Sequence, residues 1–236
     1  TTELFDIVDT ISVSFLNLAL FRGTKAGLGG AIEFNLGGPS GELFLSNVRV
    51  AQNSAESGGA IMLGDNITMT IEDSTFDSNQ SLLWDGGAID CFTSSLATVR
   101  RSTFSNNLAS GASGGTGGGA IWCRVDLDEV TFINNRHDLF GGGALYVPAL
   151  STIRNSYFDG NEAPRGGAIA GRDTDVFSST FFNNTAFGTG PNDGGGAIYF
   201  FDGTSSVTNS TFLANEAQNK GGAITSADGH DWTVIL

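Results

Sequence analysis

The chain has 236 residues, with 11 Lys and Arg against 25 Asp and Glu, a formal net charge of −14. So acidic a surface repels nucleic-acid phosphates and anionic membrane surfaces, and no apolar run approaches the roughly 20 residues of a membrane span, which excludes nucleic acid as a partner and membrane insertion of this segment. Only 15% of residues are charged while Gly numbers 34 and Phe 18, well below the roughly 25% charge usual for globular domains and richer in glycine, as suits a β-rich solenoid.

An internal repeat organises the sequence. Gly-Gly-Ala-Ile, or its Leu variant, begins at Gly29, Gly58, Gly86, Gly118, Gly142, Gly166, Gly195 and Gly221. In chain order, a degenerate unit comes first, with Leu16, Ala19, Phe21 and Thr24, and a conservative one follows with Leu45, Val48, Val50 and Asn53. A full Phe-x-x-Asn motif then precedes each glycine pair. Its aliphatic, small, Phe and Asn columns read Ile71, Ser74, Phe76 and Asn79; Val99, Ser102, Phe104 and Asn107; Leu127, Val130, Phe132 and Asn135; Ile153, Ser156, Phe158 and Asn161; Val176, Ser179, Phe181 and Asn184; Val207, Ser210, Phe212 and Asn215.

After each glycine pair the apolar period is two, the signature of a strand. Ile32, Ile61, Ile89, Ile121, Leu145, Ile169, Ile198 and Ile224 point inward. Glu33, Met62, Asp90, Trp122, Tyr146, Ala170, Tyr199 and Thr225 follow as an outward column, and Phe34, Leu63, Cys91, Cys123, Val147, Gly171, Phe200 and Ser226 turn inward again. One unit cannot bury its own apolar face; stacked units can. A helical repeat fails because Gly-Gly in every unit is costly in a helix, and a propeller blade needs about 40 residues. The pattern predicts an all-β, single-stranded right-handed parallel β-helix of about eight coils, one domain over residues 1–236 or a segment of a longer array, with strands about 4.8 Å apart. Glycine pairs suit its sharp corners. Asn79, Asn107, Asn135, Asn161, Asn184 and Asn215 should form a buried ladder, each amide bonded to its neighbour one coil away.

Together the two motifs resemble the repeats of the chlamydial polymorphic membrane proteins, autotransporter adhesins with a β-helical passenger. The resemblance spans residues 16–226. It implies a surface-displayed β-helix that contacts cells or neighbouring chains, and therefore an extracellular or cell-surface location and a structural or adhesive role rather than an enzymatic one.

Candidate chemistry is sparse. β-Helices also carry polysaccharide lyases and glycoside hydrolases, whose sites need paired carboxylates; Asp126, Asp128 and Glu129, Asp173 with Asp175, and Asp90 are the candidates for that alternative, with no basic residue recurring beside them. Turns explain these Asp residues equally well. The Asp126–Glu129 run could hold calcium loosely, but the Gly-Gly-x-Gly-x-Asp nonapeptide is absent, and no cofactor is expected. His137 and His230 read as lone loop histidines. Trp122, Tyr146 and Tyr199 share the outward column and form a candidate surface for glycans or a partner chain, since aromatics are enriched at interfaces. Residues 108–117 and 186–194 read as long, mobile Gly/Ser/Asn insertions. A Thr column that could suggest ice binding is broken by Arg49 and Tyr157. Asn66, Asn183 and Asn209 head glycosylation sequons, whereas the sequon at Asn79 falls on the buried ladder.

Two further expectations concern the cysteines and the ends. Cys91 and Cys123 each lie five residues after the first glycine of their repeat, so stacking places them within disulfide reach of roughly 4.4–6.8 Å; an oxidising compartment favours the bond, and two buried thiols are the alternative. The chain begins without Met, as a mature product or a piece of something longer, and residues 233–236 begin another strand, expected to meet residues 4–13 of a further copy and so build a fibre from copies of itself or other surface proteins.

Overall fold

The computed structural model describes residues 2–8, 12–34, 40–227 and 231–235; His230 and Leu236 lie outside them. Among the described residues there is no helix, and the chain returns coil after coil to four sheets. A nine-stranded sheet runs from Ser12–Leu16 and Gly41–Ser46 to Thr204–Thr208 and Asp231–Ile235. An eight-stranded phenylalanine sheet runs from Ala19–Phe21 to Thr211–Leu213, and a seven-stranded sheet of two-residue strands from Ser54–Ala55 to Glu216–Ala217. A nine-stranded isoleucine sheet, from Phe5–Ile7 and Ile32–Phe34 to Ile224–Ser226, completes each coil. These strands pair in parallel with their counterparts one coil away, as in Phe76 opposite Phe104 and Ile89 opposite Ile121. The fold is a parallel β-solenoid of about eight turns.

The period-two alternation fills its interior. Phe76, Phe104, Phe132, Phe158, Phe181 and Phe212 stack in a single file with ring centroids 4.6, 5.1, 4.9, 4.8 and 4.9 Å apart. Those separations match the strand spacing of about 4.8 Å, so the same residue one coil on is a packing partner at no cost in register. Asn53 joins the asparagine ladder at its start. Each Asn Nδ2 donates to the Oδ1 of the next, at 2.9 or 3.0 Å from Asn53 through to Asn215. Its second proton goes to the carbonyl of the preceding coil, as from Asn135 to Phe104 at 2.9 Å, and each Oδ1 also accepts the backbone N–H of the coil before, as Asn135 does from Asn107 at 3.1 Å. From Asn53 to Asn184 every donor and acceptor of the ladder amides is thus used.

The small-residue column has an analogous role that the sequence pattern did not reveal. Ser74, Ser102, Ser156, Ser179 and Ser210 accept, through Oγ at 3.1–3.2 Å, the N–H groups of Val48, Ser74, Val130, Ser156 and Ser179. Both bends beside these ladders take left-handed backbone at ordinary residues, for example Asp73 (φ 49°) and Asn155 (φ 48°) before the serines, and Ser78 (φ 55°) and Asn134 (φ 52°) before the asparagines. The isoleucine corner needs glycine for a different reason. A Cβ on Gly87 would overlap the Gly119 carbonyl oxygen of the next coil and the backbone of Leu108.

The first coil corrects the sequence alignment by one residue. Leu20, not Phe21, pairs with Val50, and Phe15, not Leu16, pairs with Leu45. Leu20 and Phe15 are buried, while Phe21 and Leu16 are 40% and 50% exposed. The spacing of five between Phe15 and Leu20 repeats that of Leu45 and Val50. Gly23, three residues after Leu20, takes the ladder position, its N–H donating to Asn53 Oδ1 at 2.8 Å.

Cys91 and Cys123 are joined by a disulfide between adjacent coils, with Cα atoms 5.1 Å apart and a sequence separation of 32.

Two stability predictions follow from this architecture. Asn135→Ala removes the partner of two Asn107 donors and should lower unfolding free energy by about 1–3 kcal/mol, read by chemical denaturation; an unchanged midpoint would show that the ladder does not stabilise the fold. On the chain-entropy model, closing a 32-residue loop stabilises by about 3–4 kcal/mol. Cys91→Ala with Cys123→Ala should lose most of that, and adding reductant to the native protein should reproduce the loss; identical unfolding with and without reductant would reject it.

Candidate functional site

Coil length varies just before the glycine corner. Eleven residues separate Asn107 from Gly118 and Asn184 from Gly195 (118 − 107 and 195 − 184), against five between Asn53 and Gly58. Rather than extending away, both insertions pack onto the outer face of the isoleucine sheet, where Thr116 lies beside Tyr146 and Asp193 grips Arg165.

The outward column of that sheet, in register, is Met62, Asp90, Trp122, Tyr146, Ala170 and Tyr199. Trp122 and Tyr146 stack with centroids 6.2 Å apart and ring planes 1° from parallel, and both are half-buried. Ala170 leaves a gap in the column. Phe201, two residues after Tyr199, leans back across it to stack on Tyr146 at 4.9 Å. Tyr199 faces outward from the sheet but is only 4% exposed, because the Arg165 guanidinium covers its ring at 5.7 Å. Tyr199 therefore belongs to the wall of a recess, not to an open contact surface. Burial pushes the Tyr146 phenol up, against the opposing effect of the Thr116 side chain.

That recess, a cavity of about 200 Å³, has Ala170 at its floor and Tyr146, Phe201, Tyr199 and Phe140 around it. Arg165 lies at its rim, its Nε donating to Asp193 Oδ1 at 2.6 Å and its guanidinium 5.3 Å from the Phe140 ring. Asp193 is fixed in turn by the Gly190 N–H at 2.7 Å.

On the other side of the Trp122–Tyr146 stack lies a more open cleft of about 250 Å³, lined by Trp84, Phe92, Met62 and Trp122 with Asp90 at its base. Asp90 is 8% exposed. Burial pushes its carboxyl up to about 7, with Asp85 adding to the shift and a hydrogen bond to Ser57 opposing it. Ser57 Oγ donates to Asp90 Oδ2 and lies 3.3 Å from the Asp85 carbonyl oxygen. That bond and the Cys91 backbone N–H favour the ionised carboxylate, and burial outweighs them.

His137 is not a loop residue: it is a fully buried member of the strand Arg136–His137. Its Nδ1 accepts the Phe140 N–H at 3.1 Å, so the ring proton sits on Nε2, which faces Asp85 Oδ1 at 3.8 Å. Sequence reasoning missed Asp85, Arg165 and His137. A signal existed for the first two: both directly precede a glycine pair, as does Ser57, and that position borders the outward column.

The carboxylates read as hydrolase candidates are structurally engaged. Asp126 is bracketed by Arg100 and Arg154 at 2.9 and 3.0 Å, so basic residues do accompany it, one coil to either side. Asp128 accepts from Asn155 at 2.8 Å, Asp173 from the Thr204 N–H at 2.9 Å and Asp175 from Ser206 at 2.5 Å. Glu129 sits at a left-handed bend (φ 56°). Among the described residues no three His, Cys, Asp or Glu side chains gather as a metal site. Asn66, Asn183 and Asn209 are exposed at left-handed bends, while Asn79 is fully buried.

The four sheets and their columns define a parallel β-solenoid protein. Its repeat is similar to the Chlamydia polymorphic membrane protein repeat, whose family model matches residues 101–124 and 178–200. Each match takes in one Phe-x-x-Asn motif and the glycine corner after it, Phe104 to Ile121 and Phe181 to Ile198. No curated protein and no solved structure matches the chain.

The Asp90 environment generates a pH prediction. A carboxyl raised to about 7 in the folded state and near 3.8 when free is neutral in both states at low pH. Between those values the unfolded chain releases its proton and the folded one keeps it, so this group lowers stability as pH rises from about 4 to about 7, by on the order of 4 kcal/mol. Asp90→Asn should therefore become progressively more stable relative to the native protein across that window, measured by denaturant unfolding at several pH values. A difference independent of pH would show that Asp90 ionises normally in place.

Proposed function

We infer that this chain is a surface-exposed β-helix module whose role is contact, in adhesion or assembly, and that its contact face is the outer side of the isoleucine sheet. The observation that carries this reading is the stack of Trp122, Tyr146 and Phe201, with Trp84, Phe92 and Phe140 exposed beside it by 43%, 39% and 44%. Clustered aromatics on an otherwise polar surface suit interfaces, where a large rigid face is buried at low entropic cost. The similarity to the polymorphic membrane protein repeat supports display at a cell surface, and the Cys91–Cys123 bond supports an oxidising, extracellular setting. The exposed sequon residues Asn66, Asn183 and Asn209 suit glycosylation there. Against the carbohydrate-active enzyme alternative, the carboxylate candidates of the Asp126 coil are held in ion pairs and hydrogen bonds between coils. Partners under this reading are surface glycans, other surface proteins or further copies of the chain.

The test is adhesion of beads coated with the purified chain to cell surfaces, and light scattering of the chain across concentration for self-assembly. Trp122→Ala with Tyr146→Ala should reduce adhesion or assembly at least about tenfold, a loss of about 1.4 kcal/mol or more, with far-UV circular dichroism unchanged. Undiminished adhesion and assembly in the folded double variant would reject the contact face.

A further inference from the structure

We propose that the recess above Ala170 is a binding site for one ring of a neutral saccharide, with Arg165, held in place by Asp193, as its polar group; this rests on the contact-face reading and names the ligand class.

The site exists because of one small residue. The outward column runs Tyr146, Ala170, Tyr199 through three successive coils. A large side chain at the middle position would close the stack. Ala170 instead leaves a gap about one side chain wide, with Tyr146 and Phe201 along one side and Tyr199 along the other. Phe140, 44% exposed, forms the outer wall. The apolar C–H face of a pyranose packs well against such rings, and binding sites of this size combine apolar walls with a few placed polar groups.

The polar groups are placed by construction. Arg165 directly precedes its glycine pair, which seats it at the edge of the column. Asp193 comes from the second long insertion and fixes the guanidinium through Nε, while the Phe140 and Tyr199 rings hold its plane. Among the described residues the Nη atoms of Arg165 have no hydrogen-bond partner, so they remain to donate to ligand oxygens. Thr116, exposed near the end of the first insertion, supplies a hydroxyl at the rim. Solenoid insertions gather on one face, which is commonly the binding face; here the first long insertion brings Thr116 to the rim and the second brings Asp193 to hold Arg165.

Charge decides between neutral and acidic sugars. Asp193 already balances Arg165, and the chain carries a net charge of −14. A uronic or sialic carboxylate would have to approach an ion-paired guanidinium against that field. Neutral hydroxyls face no such penalty and can accept from the guanidinium at the rim.

The experiment is isothermal titration of the intact chain with glucose, mannose, galactose and xylose hexasaccharides, and with a galacturonic-acid hexasaccharide of equal length. At least one neutral member should bind with Kd in the roughly millimolar range or tighter. Ala170→Leu, which fills the recess, and Phe140→Ala, which removes an exposed wall without touching the core, should each weaken it at least about tenfold, and Arg165→Gln should do the same, all with unchanged circular dichroism. Tighter binding of the galacturonic chain would overturn the ligand class. Saccharide binding that survives Ala170→Leu and Phe140→Ala would overturn the site. No binding of any hexasaccharide would overturn the proposal while leaving the contact face standing, provided adhesion or assembly still depends on Trp122 and Tyr146; loss of that dependence as well would remove both.

Discussion

Every coil must place each strand beside its own counterpart in the next coil, at the hydrogen-bonding distance of about 4.8 Å, and the rest of this structure depends on that constraint. It turns a sequence motif into a column. Phe stacks on Phe, and the amide of each Asn completes the valence of the next. The constraint is enforced at the corners. The Asn and Ser ladders give bent backbone the partners that a continuous sheet would otherwise supply, and buried backbone groups without partners are costly. The glycine corner acts sterically, since any Cβ on Gly87 meets the carbonyl of the following coil. Coil length can vary around such corners while the columns keep their register, with a bulge after Gly171.

This is why so much of the architecture was legible in the sequence. A side chain whose environment is its own equivalent one repeat away leaves a periodic trace, and the Phe, Ile and Asn columns could be read directly. The first coil was misread because its motif had decayed: Leu20 stands for Phe and Gly23 for Asn, and Phe21 offered a false match one residue on. The functional face was legible only in part. Trp122 and Tyr146 lie on one column, but the recess depends on Phe201, Arg165, Asp193 and Phe140, which meet only because loops of unequal length fold back across neighbouring coils. Contacts of that kind have no period to detect. The Asp85 neighbour of His137 is of the same kind, but its strand position is periodic, two residues after Asn135 as Ala109 is after Asn107, and the sequence reading overlooked that column.

Stacking also sets a problem for the surface. Identical outward carboxylates in successive coils would repel at strand spacing, by roughly 3–4 kcal/mol per pair at an effective dielectric near 20. Apart from Asp6 opposite Glu33, where Lys25 pairs with Glu33, the chain avoids such columns by alternation. Asp126 lies between Arg100 and Arg154, Arg136 reaches Glu162 one coil on, Arg172 reaches Asp202, and Asp77 is bonded by Ser105 and Asn106. Exposed pairs of this type add little individually. Their effect is to let an acidic chain stack without accumulating like charge along its length. Carboxylates committed in this way are poor candidates for chemistry, which needs a group free to exchange protons or attack.

Asp90 shows what happens where alternation fails. Its column neighbours are Met62 and Trp122, neither able to balance a charge, and Asp85 adds a second carboxyl nearby. The solution is to hold the proton rather than to find a cation, with Ser57 completing the hydrogen bonds. Arg165 stands in the contrasting situation. It is neutralised by Asp193, yet its guanidinium lies against two aromatic rings instead of a carboxylate in the next coil. One end of the aromatic face thus carries a carboxyl whose ionisation is suppressed by burial and the other a balanced ion pair, so rings and hydrogen-bonding groups dominate the face. A partner suited to it need not be charged to overcome the acidity of the remaining surface, only flat enough to meet the rings and rich enough in hydroxyls or amides to satisfy the polar groups at either end.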